Sequence, residues 1–144
     1  MVLEILLVED SEPDVHLVRL ELKAWKTPFN LRVFGNAEEA LKFLHRKNEF
    51  SECSLPHLAL IDLNLPGQSG LVVLEAISAI PELRNAFVFV LSTSTAPSDV
   101  TKALPYATAY FQKPMDAVAI FRLFEALETV LRMDVRFAMK PQVR

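Results

Sequence analysis

A chain of 144 residues suits one domain, and a hydrophobic fraction of 51% supports a substantial core. The net charge of -3 does not supply the basic face that direct nucleic-acid binding needs, and no run of about eighteen apolar residues exists to span a membrane. The one cysteine, Cys53, can form no internal disulfide, and the N-terminus enters an apolar run without a basic leader, so a cytoplasmic location is expected.

Apolar runs alternate with segments of helical period. A strand is expected over 3–8, ending in Glu9-Asp10, and then a helix over 12–24. Ser11-Glu12-Pro13-Asp14 signals that helix start: a capping serine, a first-turn proline and acids near the positive end of the dipole. Val15, Val18, Leu22 and Trp25 form its core stripe. A strand at 29–34 precedes a helix at 37–46, which Asn36 and Glu39 cap. The longest loop, 47–56, leads to a strand at 57–61, and Asp62 closes that run before Pro66-Gly67 forces a turn. A helix at 70–79 and a strand at 86–91 follow, the strand ending in Ser92-Thr93. A helix at 97–104, shortened by Pro105, leads to a strand at 108–111, then Lys113-Pro114 and a helix at 116–130.

Five βα units imply an α/β fold whose five-stranded parallel sheet is doubly wound and covered on both faces. Right-handed crossovers leave few topologies, and the strand order 2-1-3-4-5 is the expected one. After residue 130, Leu131, Met133, Val135, Phe137 and Met139 alternate with Arg132, Asp134, Arg136 and Ala138, which is a strand period. Residues 1–130 are therefore read as the domain and 131–144 as a C-terminal extension. An extended segment with one apolar face can clasp a second subunit, so a homodimer with residues 131–140 as an arm is expected. The competing reading continues the last helix, with Val130, Met133 and Phe137 on its apolar side.

In an open parallel sheet, ligands bind outside the carboxyl ends of the strands. That rim collects Glu9, Asp10, Asp62, Ser92 and Lys113. Two carboxylates ~4 Å apart repel by roughly 4 kcal/mol at an effective dielectric near 20, so a cation or raised pKa values must sustain such a cluster. Hard oxygen ligands suit Mg2+, and no histidine or cysteine pair has the spacing that zinc takes. Asn64, two residues after Asp62, offers a backbone carbonyl to the cation. A carboxylate can accept a phosphoryl group, with Lys113 as the charge and Ser92 as the hydroxyl that meet its oxygens. Taken singly, Lys113 reads more readily as a surface lysine and Ser92 as a strand-end hydroxyl, and Asp10 reads equally well as a helix cap or loop charge; their joint placement outweighs those readings. His16, His45 and His57 are scattered and receive no role.

These residues resemble the receiver domain of two-component response regulators, over about residues 3–130. The resemblance implies a flavodoxin-like fold, with Asp62 as phosphoacceptor and Mg2+ held by Glu9, Asp10, Asp62 and the Asn64 carbonyl, Glu9 acting through water. It further implies Ser92 and Thr93 at the switch position, Lys113 on the phosphate, a cis bond before Pro114, and Tyr110 as the aromatic residue that turns inward on phosphorylation. The strings ILLVEDSEPD, LIDLNLPGQSG and VLSTST are similar to stand-alone regulators that partner phytochrome-type histidine kinases. The implied partners are a sensor histidine kinase and a downstream protein reached by contact or phosphorelay, with no output domain. LPYATAY departs from the family by lacking its usual glycine, which bears on the signalling face and not on the phosphorylation chemistry.

A phosphohydrolase with an aspartyl nucleophile usually carries a second aspartate two residues on, where this chain has Asn64. A pseudo-receiver that binds partners without phosphorylation commonly lacks the acceptor, the acidic pair or the lysine, all of which are present here. It remains the alternative.

Overall fold

The computed structural model describes residues 2–25, 27–93, 96–113 and 116–133. Five strands, β1 (Leu3–Val8), β2 (Phe29–Phe34), β3 (Leu58–Asp62), β4 (Phe87–Ser92) and β5 (Ala109–Gln112), alternate with five helices. The helices are α1 (Glu12–Lys23), α2 (Ala37–Leu44), α3 (Leu71–Ala79), α4 (Pro97–Ala103) and α5 (Ala117–Met133). All strand pairs are parallel, in the order β2-β1-β3-β4-β5. This is the doubly wound topology that the alternating pattern implies.

The strand sequences are apolar at nearly every position because both faces of the sheet are covered. Side chains alternate across a strand, so β1 sends Leu3, Ile5 and Leu7 to one core and Leu6 and Val8 to the other. The first core packs the sheet against α1 and α5 through Val18, Leu22, Ile120, Leu123, Phe124 and Leu127. The second packs it against α2 and α3 through Ala40, Phe43, Val73, Leu74 and Ile77. Each fully buried leucine contributes about 2 kcal/mol. Trp25 meets Phe124 edge to face at 5.4 Å, which closes the first core at the far end of α1.

The helix starts follow their capping residues. Ser11 Oγ accepts from the Asp14 amide and Asn36 Oδ1 from the Glu39 amide. The Glu39 carboxylate pairs with Lys42 at 3.2 Å. Pro105 lies within a single 3-10 turn, Leu104–Tyr106, directly after α4.

The strand period expected from residue 131 gives way to helix: α5 runs through Met133. Leu131 is buried in the core with Leu127 and Phe124, while Met133 is exposed. The helical stripe Phe124-Leu127-Leu131 finds a sheet to pack on, and packing overrides the local alternation. A boundary after residue 130 would cut this helix, and Leu131 is not available to a dimerisation arm. Val135, Phe137 and Met139 lie outside the described residues. Among the described residues, no helix is long and apolar enough to cross a membrane.

Candidate functional site

The register of the sheet lines up the carboxyl ends of β1, β3, β4 and β5. Asp62 is the last residue of β3 and pairs with Leu91, and Ser92 is the last of β4 and pairs with Gln112. The ladder continues one step past each strand. The Glu9 amide donates to the Phe34 carbonyl at 2.9 Å, Leu63 to Leu91 at 2.9 Å and Lys113 to Ser92 at 2.7 Å. Glu9, Asp62, Ser92 and Lys113 are thus fixed by backbone hydrogen bonds at the sheet rim.

Glu9, Asp62, Ser92 and Lys113 are the buried polar side chains among the described residues. Burial of a charge is tolerated only with a partner. Here the partner is shared: the Lys113 ammonium contacts Glu9 Oε1 and Oε2 at 2.8 and 2.7 Å, Asp14 Oδ2 at 2.8 Å and Asp62 Oδ2 at 3.1 Å. Burial alone would lower the Lys113 pKa, but the bonds to Asp14 and Glu9 and the Asp62 charge hold it above the ordinary lysine range. Burial pushes the Glu9 carboxyl up to about 7, aided by the charge of Asp62 and opposed by the Lys113 hydrogen bonds.

Carboxylate oxygens of Glu9, Asp10 and Asp62 lie within 4.8 Å of one another. Asp10 is exposed and opens the cluster to solvent. Three hard oxygen donors, two of them buried, are a donor set that fits a divalent cation of the Mg2+ or Mn2+ kind. Asp62 Oδ1 accepts from the Asn64 amide at 2.8 Å, which folds the loop after β3 back on the carboxylate. Gly67, at a φ of +79°, supplies the turn that follows, and Gly70 passes so close that an added Cβ would stand 2.1 Å from the Asp62 carbonyl oxygen.

The Asn64 carboxamide oxygen accepts from Ser92 Oγ at 3.0 Å, from the Thr93 amide at 2.9 Å and from Thr93 Oγ1 at 2.9 Å. The end of β4 is thereby tied to the loop after β3. Tyr110, expected to turn inward on phosphorylation, already stands against the sheet core here. Its ring packs against the second core and its hydroxyl is buried with no hydrogen-bond partner among the described residues, while Ser92 engages Asn64. Inward placement buries the aromatic body, at the cost of leaving the hydroxyl dry.

The structure thus gathers Glu9, Asp10, Asp62, Asn64, Ser92, Thr93 and Lys113 at one edge, and Pro114 lies outside the described residues. Sequence reasoning missed Asp14, taken as a charge for the helix dipole. The signal was present: Asp14, Val18 and Leu22 are spaced by four, so Asp14 extends the inward stripe of α1 to the rim.

The profile of the response regulator receiver domain matches residues 5–125. Response regulator Rcp1 of Synechocystis sp. is 33% identical over 126 residues, covering 87% of this chain and 86% of that protein. The crystal structure of the phosphorylated cyanobacterial phytochrome response regulator RcpA superposes with a TM-score of 0.79 at 29% identity, over 99% of this chain and all of that one. The Mn(2+)-bound form of response regulator Rcp1 gives a TM-score of 0.79 at 30% identity, over 98% and 99% of the two chains.

Proposed function

The chain belongs to the response regulator receiver domain family, and from that membership we propose that Asp62 accepts a phosphoryl group from a sensor histidine kinase of the phytochrome type. One observation carries the reading: a buried strand-end aspartate stands 3.1 Å from a buried ammonium, inside a carboxylate cluster fit for a cation. The phosphohistidine N–P bond breaks as an Asp62 carboxylate oxygen bonds to phosphorus, and the histidine leaves with the electron pair. Glu9, Asp10, Asp62 and the Asn64 carbonyl are the groups that would hold Mg2+, which when bound neutralises phosphoryl charge.

The remaining work belongs to side chains. Lys113 supplies a point charge to the phosphoryl oxygens. Ser92 leaves Asn64 and donates its hydroxyl to one of them, while Thr93, bound to the same acceptor through its amide and hydroxyl, keeps the end of β4 tied to the loop. The added phosphate brings about -1.5 to -2 charges, enough to bias a two-state rim. The protein signals rather than turning over a substrate. The reading extends to a homodimer and to a downstream protein that recognises the altered α4–β5–α5 face.

The phytochrome partnership draws support from the relatives, whose names carry it. Phosphotransfer from a radiolabelled phytochrome-type kinase tests it. Label should pass to the wild-type chain within minutes and not to Asp62→Asn. Label that stays on that kinase, yet leaves a non-phytochrome histidine kinase for Asp62, would overturn the phytochrome assignment alone.

A further inference from the structure

Among the described residues, the Lys113 ammonium, with its three protons, has four close oxygens, on Glu9, Asp14 and Asp62. Glu9 and Asp62 also belong to the cluster that fits a divalent cation, and Asp14 does not. A cation entering that cluster meets an ammonium already seated on oxygens of Glu9 and Asp62. Two positive charges at contact with the same oxygens repel strongly at the dielectric of a buried site. The ammonium has to shift, and it needs an acceptor outside the cluster.

Asp14 meets that requirement. Its Oδ2 is already 2.8 Å from the ammonium, and it projects from the first turn of α1. Its position is braced through Ser11, whose hydroxyl accepts from the Asp14 amide and whose amide donates to Glu9 Oε1 at 3.1 Å. We propose that Asp14 is a positioning residue for Lys113: it retains the ammonium on the α1 side of the pocket and so frees Glu9 and Asp62 for the divalent cation. This role rests on reading the pocket as a cation and phosphoryl site. Without the Asp14 carboxylate, the ammonium's other acceptors among the described residues are the cation's own ligands, and it competes for them.

The test is a Mn2+ titration of the full chain, followed by the electron paramagnetic resonance of the free ion, with no phosphoryl donor present. Asp14→Asn should weaken Mn2+ binding about fivefold or more, and Asp14→Glu should stay within about twofold of wild type. In a Lys113→Met background, adding Asp14→Asn should change the affinity by less than about twofold, because the competitor is gone. Lys113→Gln provides a second background if Lys113→Met does not fold. Equal losses from Asp14→Asn with and without the lysine would overturn the proposal, since Asp14 would then act only through its own field. A wild-type chain that binds no Mn2+ would instead overturn the pocket reading, and this role with it.

Discussion

The ammonium of Lys113 stands 3.1 Å from Oδ2 of Asp62, across 51 residues of chain. Two consecutive crossovers of a parallel sheet bring them together. The aspartate ends a central strand and the lysine follows an edge strand, with Ser92 between them. Under the proposed function, this contact sets beside the acceptor the charge that the phosphoryl group would meet. It also places one cation among Glu9, Asp14 and Asp62, and the stability of the rim depends on it.

Replacing Lys113 by alanine leaves Glu9 and Asp62 buried without their shared partner. Removal of one member of a buried charge group costs about 3 kcal/mol. Urea unfolding of Lys113→Ala in EDTA should show that loss. Excess Mg2+ should then stabilise the variant more than wild type, because the cation meets no competing ammonium. An equal Mg2+ increment in both proteins would show that the lysine and the cation do not share oxygens.

Cation binding should be linked to Glu9. Its carboxyl is pushed from an ordinary 4.5 up to about 7, so below that pH it is protonated and must lose its proton to act as a ligand. Affinity should fall about tenfold from pH 8 to pH 6 and level off above pH 8. Calorimetry in buffers of different ionisation enthalpy should detect the released proton, and Glu9→Gln should flatten the dependence. The same shift bears on folding. Between about pH 4.5 and 7 the folded chain holds a proton that the unfolded chain has lost. Metal-free stability should therefore decline as pH rises through that window.

Gly70→Ala tests the fit of α3 against the acceptor strand. The new Cβ would stand 2.1 Å from the Asp62 carbonyl oxygen and 2.9 Å from its carbon, and backbone atoms cannot yield as a side chain can. The loop after β3 must shift, at a cost of about 2 kcal/mol. Thermal unfolding should show the loss, together with slower phosphorylation from a small-molecule donor. Unchanged stability would mean that the loop has slack.

Tyr110→Phe should raise stability by about 1 kcal/mol, because it removes a buried hydroxyl that has no partner among the described residues. The melting temperature should rise by about 3 °C. A destabilised variant would show that the hydroxyl is satisfied in solution.

The strand order and the five βα units were legible because every strand reads as an apolar run with breakers on either side. The edges of three strands were displaced by one residue toward the N-terminus, at Asp62, Ser92 and Gln112. These polar residues end apolar runs, so hydropathy excludes them, yet their backbones stay in the ladder. Two of the residues that blur a strand end, Asp62 and Ser92, are members of the site, and Gln112 directly precedes Lys113. Asp14 was hidden for a different reason: an acid in the first helical turn is explained by the dipole, and only its spacing from Val18 and Leu22 shows that it faces the rim. Leu131 satisfied both a strand and a helix period, and the choice lay in the sheet beneath it. The placement of Tyr110 depends on space between packed side chains, which no local pattern encodes.

The role proposed for Asp62 is that of phosphoacceptor in a cation-dependent site. Intact mass after incubation with acetyl phosphate and Mg2+ tests it most directly. A single phosphate adduct should form on wild type and be absent with EDTA and in Asp62→Asn. No adduct on wild type, with beryllofluoride and Mg2+ also leaving its amide spectrum unchanged, would contradict the account and favour a module that binds its partners without phosphorylation.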